Sequence, residues 1–200
     1  MNIQLVRKKF NEDRVLQSKA KKDLEVAREN LNEQTLRKSY AENARVVIQE
    51  VAVRTQQNLQ YHISAIVTNA IKSVDTDWPE YEIEFVTRRN RTECDILFVE
   101  GEARQHPLDS SGGGAKDIAS FAQRVSYWTL KRNRPTLVLD EPFRDVSPDR
   151  QDRVSEMLSD VCNKLGLQIV MVSHAENINV AADKTFLTTK ENRKSKTKEI

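Results

Sequence analysis

Along the first third of the chain, apolar residues return at helical intervals among Lys, Glu, Gln and Arg. Ile3, Phe10, Leu24 and Leu31 lie seven or fourteen positions apart, with Ala20, Ala27 and Ala41 on a neighbouring stripe. This is a heptad seam, thinned by Gln17, Gln34 and Lys38, and it suits one strand of a coiled coil whose partner lies elsewhere. From Ala44 the face becomes more apolar, through Val47, Ile48, Val51, Leu59, Ile63, Ile66, Ala70 and Val74. The pattern predicts one helix running from a solvated arm into a buried base. No Gly or Pro interrupts residues 1–76, and good helix formers dominate there. Seventy helical residues span about 105 Å, wider than a small domain, so the helix is expected to protrude. The other reading of so polar a stretch is disorder, against which the periodicity and the missing breakers weigh.

At Pro79 the period changes. Tyr81, Ile83 and Phe85 alternate with Glu82, Glu84 and Val86, and Cys94, Ile96 and Phe98 with Asp95, Leu97 and Val99. Two strands are predicted, joined at Arg88-Arg89-Asn90-Arg91 into an antiparallel hairpin, with a loop over 101–109. Ile118, Phe121, Ala122, Val125 and Trp128 then mark a helix ending near Arg132. Thr136-Leu137-Val138-Leu139 is a short continuous apolar run, expected to be buried on both faces of a parallel sheet. Ser147-Pro148 is a helix start, Val154, Met157, Leu158, Val161 and Leu165 form its apolar face, and Gly166 stops it. A second buried strand over 168–172, a short helix over 175–182 and a last strand over 185–188 complete an α/β order.

Composition narrows the class. The chain has 200 residues, 38% hydrophobic and 31% charged, with a mean hydropathy of -0.65. That is low for a compact globule of this size and fits a long solvated helix. No apolar run is long enough for a transmembrane helix, and MNIQLVRKKFNEDR carries no secretory h-region. Two cysteines, Cys94 and Cys162, cannot build a disulfide framework and read as reduced, buried thiols in a cytoplasmic protein. The net charge of +2 creates no global field for a polyanion. Locally, Arg193, Lys194, Lys196 and Lys198 crowd the last eight residues against Glu199. Such a tail is either frayed and solvated or a phosphate-contacting element.

Three short motifs carry candidate chemistry. Asp140 and Glu141 close the apolar strand, at the end where α/β folds bind ligands. Asp140 can hold magnesium, which takes oxygen ligands and keeps several waters. Glu141 can orient or deprotonate a water. The same residues followed by Pro142 also make an ordinary turn. Ser173-His174 closes the second strand; His174 can meet a terminal phosphate, or can serve as a structural histidine or helix cap. Ser111, Gly112, Gly113 and Gly114 precede a helix, where bare backbone amides and the helix end favour an anion. A flexible connector has the same composition.

In this order, the three motifs resemble the C-terminal half of an ABC-type ATPase head. The likeness is to the coiled-coil subgroup, the SMC-like and SbcC-like DNA-repair ATPases and their phage counterparts. SSGGG resembles the signature loop, TLVLDEPF the Walker B strand, and IVMVSHAENI the strand with the switch histidine. The resemblance spans Ser110 to about Ala182, and the preceding arm and hairpin follow the same family's order. The chain departs from the pattern at Ser110, where leucine is usual, at Gly114, where Gln or Glu is usual, and at Ser147, where aspartate is usual. No G-x-x-x-x-G-K-[ST] phosphate loop is present, and the resemblance places that loop in a missing N-terminal half.

The resemblance implies an α/β half-head with a long protruding coiled-coil helix: an arm and base over 1–76, an ATPase lobe over 77–192 and a basic tail over 193–200. It implies ATP and Mg2+ as cofactors, with Asp140 on the metal, Glu141 activating water and His174 sensing the γ-phosphate. Ser111, Gly112 and Gly113 would act in trans on the nucleotide of a second head, with Gly114 in the same loop. Implied partners are a Walker A-bearing half, a second head, an SbcD-like nuclease and DNA. The expected activity is ATP hydrolysis in DNA repair or recombination, only when the missing half is supplied. A non-catalytic coiled-coil protein that regulates a full-length ATPase is the alternative. A transporter-type half fits less well, since it has no use for the arm.

Overall fold

A computed structural model describes residues 3–109, 112–131, 133–175, 177–191 and 194–200. The chain divides into two compact units, Met1–Thr55 and Gln56–Ile200. The described residues of the first, from Ile3 on, are all helix, the leading part of α1 (Ile3–Val74). Its seam residues are bare: Ile3, Phe10, Leu24 and Leu31 are 53–70% exposed. Ion pairs one helical turn apart, Arg37 with Glu33 and Arg54 with Glu50, line its polar surface. Among the described residues no helix is long and apolar enough to cross a membrane.

The buried base starts later than the apolar pattern predicts. Val47, Ile48 and Val51 are 58–69% exposed, and the fully buried positions of α1 are Val67, Ile71 and Val74. Those three side chains enter one core with Tyr81, Ile83 and Phe98 of the following sheet, Ile118 and Phe121 of α2, and Val154 of α3. Apolarity alone could not locate the start of burial, because exposed coiled-coil seams and core faces share the same helical period.

The hairpin forms as β1 (Glu80–Arg88) and β2 (Arg91–Glu100), in antiparallel register from Glu80 opposite Val99 to Arg88 opposite Arg91. Arg89 and Asn90 both take positive φ, +49° and +61°, which suits the right-handed twist of a two-residue hairpin turn. Ser64 and Thr68, four apart on α1, finish the other edge of β1. The Ser64 hydroxyl accepts from the Ile83 amide at 3.1 Å, and Thr68 Oγ1 accepts from the Tyr81 amide at 2.9 Å. The expected loop over 101–109 contains a third strand, β3 (Ala103–Gln105), paired with Phe98–Glu100. Cys94 is exposed and Cys162 half-buried, so the two thiols are free but not both interior.

The α/β part runs α2 (Gly113–Lys131), β4 (Thr136–Asp140), α3 (Pro148–Leu165) and β5 (Gln168–Val172). The ends of α3 follow the sequence: Ser147 is the N-cap residue, Pro148 opens the helix, and Gly166 closes it at φ 66°. The Leu167 amide returns to the Cys162 carbonyl at 3.1 Å, closing the last turn. Ser147 itself caps no backbone amide. Its hydroxyl accepts from Arg150 at 2.9 Å, and Arg150 also pairs with Asp75 at 2.6 Å.

Two expectations fail in this region. Strands β4 and β5 are parallel, with Asp140 opposite Val172, but they are not buried on both faces. Leu139 is 3% exposed, whereas Val138 is 76%, Val170 49% and Val172 61%. Only one face of this sheet is covered by the chain's own helices. The helix expected over 175–182 does not form among the described residues: residues 178–181 are turn, and Glu176 lies outside the described residues. Gln151 and Ser155 of α3 accept the Asn177 and Ala181 amides at 3.3 and 2.9 Å, in competition with helical bonding. The last strand, β6 (Phe186–Glu191), pairs with β7 (Lys194–Glu199), so these residues of the basic tail form an exposed strand rather than a frayed end, while Arg193 lies outside the described residues.

Candidate functional site

The parallel ladder extends one residue past β4, because the Glu141 amide donates to the Val172 carbonyl at 2.9 Å. Glu141 has a φ of +44°, in the left-handed region. A non-glycine residue there costs about 1–2 kcal/mol, so neighbouring contacts must hold it. The ladder bond is one such contact, and the side chain supplies two more. Glu141 Oε1 lies 2.9 Å from His174 Nδ1, and Ser173 Oγ donates to Oε2 at 3.4 Å. The turn after β4 thereby aims its carboxylate at the turn after β5.

Electrostatics follow from this contact. The hydrogen bond from His174 is the main cause holding the Glu141 carboxyl below its ordinary range, and Ser173 adds to it. Glu141 therefore stays ionised at neutral pH, an acceptor able to orient a water. Its bond to Nδ1 leaves Nε2 as the second hydrogen-bonding atom on a ring that is 74% exposed. Beside the pair is a cleft of about 230 Å³ lined by Arg144, Gln151 and Asn177 together with Glu141 and His174. Ser173 and Gln151 are the site neighbours that sequence reasoning passed over. The signals were present: Ser173 adjoins His174, and Gln151 sits in the first turn of the helix that Ser147 opens.

Asp140 lies at the strand end next to Glu141 and is exposed. Strand alternation places it on the same face as Val138. Among the described residues no group of three or more His, Cys, Asp or Glu is arranged to hold a metal. The donor set thus fits only an ion that takes one or two carboxylates and draws its other oxygens from phosphate and water, which is the habit of magnesium.

Of the glycine loop, Ser111 lies outside the described residues, as does Ser110. Gly113 and Gly114 have packing reasons to be glycine. A Cβ on Gly113 would sit 2.3 Å from Asp145 Cβ, and one on Gly114 would sit 2.9 Å from the Trp78 ring. The Asp145 amide also donates to Asp117 of α2 at 2.8 Å. The start of α2 therefore clamps the segment following Glu141, which Phe143 anchors edge-on against Phe121 at 5.5 Å. Gly112 differs: a Cβ there would meet nothing within 4 Å. Among the described residues no hydrogen bond or ion pair joins the glycine loop to Glu141 or His174; its shown neighbours are Asp145 and Trp78.

No known family's sequence profile matches the chain. Parts of it match curated proteins. It is 39% identical over 77 residues to the thiamine import ATP-binding protein ThiQ of Salmonella choleraesuis, covering 38% of this chain and 30% of ThiQ. It is 32% identical over 66 residues to ThiQ of Haemophilus ducreyi, covering 33% and 29%. Against the methionine import ATP-binding protein MetN of Bacillus subtilis the figures are 30% over 84 residues, covering 42% and 23%. The chain thus spans less than a third of the length of these relatives.

Solved structures resemble it more widely. A chain from work on ATP-driven dimerisation and DNA-stimulated activation of SMC ATPases superposes with a TM-score of 0.56 at 15% identity, covering 76% of this chain and 88% of that one. An SMC head bound to the C-terminal winged-helix domain of ScpA gives 0.60 at 15% identity, covering 76% and 45%. A Smc head with coiled coil and joint from Pyrococcus yayanosii gives 0.59 at 14%, covering 76% and 28%. The fold is that of SMC head domains, an ABC ATPase fold with a long N-terminal helix.

Proposed function

We propose that this chain is one half of an ATPase head and hydrolyses ATP when a phosphate-loop-bearing half, as a partner chain or another segment, completes it. The observation that carries the reading is the uncovered face of the β4–β5 sheet. Parallel sheets are ordinarily covered on both faces. Here Val138, Val170 and Val172 are bare, and Asp140 stands on the same face. A segment that covers the valines therefore reaches the candidate magnesium carboxylate as well. One finding adds support: the curated relatives are ATP-binding proteins by name.

In this reading each candidate residue has one role. Glu141, ionised and oriented by His174, accepts a proton from the attacking water. When both ring nitrogens carry a proton, His174 donates from Nε2 to a terminal phosphate oxygen while Nδ1–H holds Glu141, so the pair couples phosphate contact to the base. Asp140 supplies an oxygen ligand to magnesium. Bound Mg2+ neutralises charge on the β- and γ-phosphates. The loop of Ser111, Gly112, Gly113 and Gly114 offers its amides to the nucleotide of a second head. A role in DNA repair or recombination, an SbcD-like nuclease as partner, DNA as substrate and a cytoplasmic location complete the proposal; free thiols and ATP use fit that compartment.

The test is reconstitution. The purified chain alone is expected to bind ATP weakly and hydrolyse it negligibly. Addition of a segment comprising a strand, a phosphate loop and a helix should produce magnesium-dependent hydrolysis. Robust turnover by the chain alone rules out the half-head. A full-length ATPase whose rate responds equally to wild type and to Glu141→Gln indicates the non-catalytic regulator instead.

A further inference from the structure

We infer that Gln151 is a positioning residue for the candidate site: it ties the segment that follows Glu141 to the segment that follows His174, and so holds carboxylate and imidazole in register. Both segments leave neighbouring strands of one parallel sheet. They are joined first at the strand ends, where the Glu141 amide donates to the Val172 carbonyl at 2.9 Å. They are joined again farther out by Gln151. Its Nε2 donates to the Val146 carbonyl at 3.4 Å, and its Oε1 accepts from the Asn177 amide at 3.3 Å. Glu141 and His174 therefore lie on a closed ring of chain, tied at both ends, and Gln151 helps to line the cleft beside them.

The chemistry of the tie selects the residue. One segment offers a carbonyl and the other an amide, so the side chain between them must end in both a donor and an acceptor. Gln151 is buried, at 8% exposure, and both ends of its amide are engaged. It stands on a rigid support, because Val154 and Leu158 root α3 in the core. His174 needs such support: its ring is 74% exposed, so packing does not fix it. Strand β5 holds the chain just before His174, and Gln151 holds it three residues after, at Asn177. Ser155, one turn along α3 and also buried, takes the Ala181 amide at 2.9 Å. That bond lies farther from His174 and secures only one of the two segments.

The tie itself needs no nucleotide; only its consequence for turnover rests on the half-head reading. The first measurement uses the full chain alone: nitrogen NMR of the His174 ring in alkaline buffer, where imidazoles are neutral. A carboxylate on Nδ1 selects the tautomer with the proton there. The wild-type ring should show that tautomer in excess. Gln151→Met keeps the length and removes both bonds, and it should shift the ring toward Nε2–H. Gln151→Glu keeps an oxygen for the Asn177 amide but presents a carboxylate to the Val146 carbonyl. It should shift the ring as well, and it decides the matter if the methionine variant does not fold. Ser155→Ala removes a buried hydrogen bond of the same helix and should lower the melting temperature without moving the tautomer. In a reconstituted head, Gln151→Met should lower kcat by about 10²-fold, the cost of about 1 Å of misplacement, with KM for ATP unchanged. A wild-type tautomer in both Gln151 variants, an equal shift in Ser155→Ala, or an unchanged kcat overturns the inference. So does a wild-type ring without the Nδ1–H excess. A wild-type head that hydrolyses no ATP overturns the half-head reading instead, and the tautomer still decides the tie.

Discussion

Ser64 and Thr68 of α1 satisfy the outward amides of β1, whereas β4 and β5 have only each other as strand neighbours among the described residues. In the antiparallel sheet, the turn, the core face and the edge are all finished by residues close in the chain. In the parallel pair, the covered face holds Leu139 at 3% exposure and the adjacent Val138 is 76% exposed. The candidate chemistry lies at the unfinished sheet. Asp140, Glu141, Ser173 and His174 all stand at or just beyond its strand ends. A sheet that is complete alone has no reason to await ligand or partner, while one that is half covered can make its site conditional on assembly.

The largest expected effect belongs to the unfinished side. Glu141→Gln keeps the size of the side chain but cannot take a proton from water. In the reconstituted head it should slow ATP hydrolysis by about 10²–10⁴-fold, the usual worth of a positioned base. Nucleotide-dependent dimerisation should persist, because Asp140 and the partner half are untouched. Phosphate release and light scattering on the same samples check both statements. Wild-type hydrolysis by this variant removes Glu141 from the mechanism.

Ile71→Ala strikes the finished side. Ile71 is fully buried where α1 meets the antiparallel sheet, and truncation of such a residue costs about 2–5 kcal/mol. That is a large part of the about 5–15 kcal/mol that holds a typical domain together. Chemical denaturation of the chain alone should show this loss in full, with no help from a partner half.

Next come the glycines at the start of α2. Gly113→Ala forces a Cβ against Asp145 Cβ, and overpacking of this kind costs about 1–3 kcal/mol. Gly112→Ala meets nothing and should leave stability unchanged. If the loop also serves a nucleotide across the dimer, Gly112→Ala should still lower reconstituted hydrolysis. Equal melting temperature with unequal turnover separates the ligand role from the packing role.

Much of this was legible in the sequence for local reasons. Ser147-Pro148 and Gly166 bound α3 because caps act within one turn. Asp140, Glu141 and His174 stand out as candidates because a strand end followed by a carboxylate pair, or by Ser-His, is a local pattern. What was not legible depended on distant contacts. Val138 reads as buried in TLVLD, since an apolar run does not say which face has cover. The segment after His174 reads as helix until Gln151 and Ser155 take its amides. The pairing of Lys194–Glu199 with β6 required a partner strand that charge composition alone disguised.

The clamp between α1 and α3 gives a smaller, pH-dependent effect. Asp75 accepts from the Asp77 amide and from Arg150, and these two contacts, in that order, hold its carboxyl below the ordinary range. A depressed carboxylate adds stability above its unfolded pKa and loses it as pH falls through the lower folded value. Asp75→Asn should therefore be less stable than wild type at neutral pH. The gap should close in acid, below the usual carboxylate range. Denaturant midpoints from pH 7 down to pH 2 check this; a gap that is constant with pH means that Asp75 acts by shape and not by charge.

The smallest expected effect is the most direct probe of the two faces. Val138→Thr exchanges a methyl for a hydroxyl at a position already 76% exposed. In the chain alone it should change stability by no more than about 0.5 kcal/mol, as surface substitutions do. Leu139→Ala, one residue along the same strand, should cost about 2–5 kcal/mol. Once the phosphate-loop half is bound, Val138 should be covered. Its hydroxyl would then be desolvated without a partner, and Val138→Thr should weaken association by a measurable factor while Leu139→Ala acts mainly on the free chain. Denaturation midpoints and association constants for the two variants, measured side by side, test the contrast between the faces. A costly Val138→Thr in the isolated chain means that the face is already covered, and the half-head reading loses the observation that carries it.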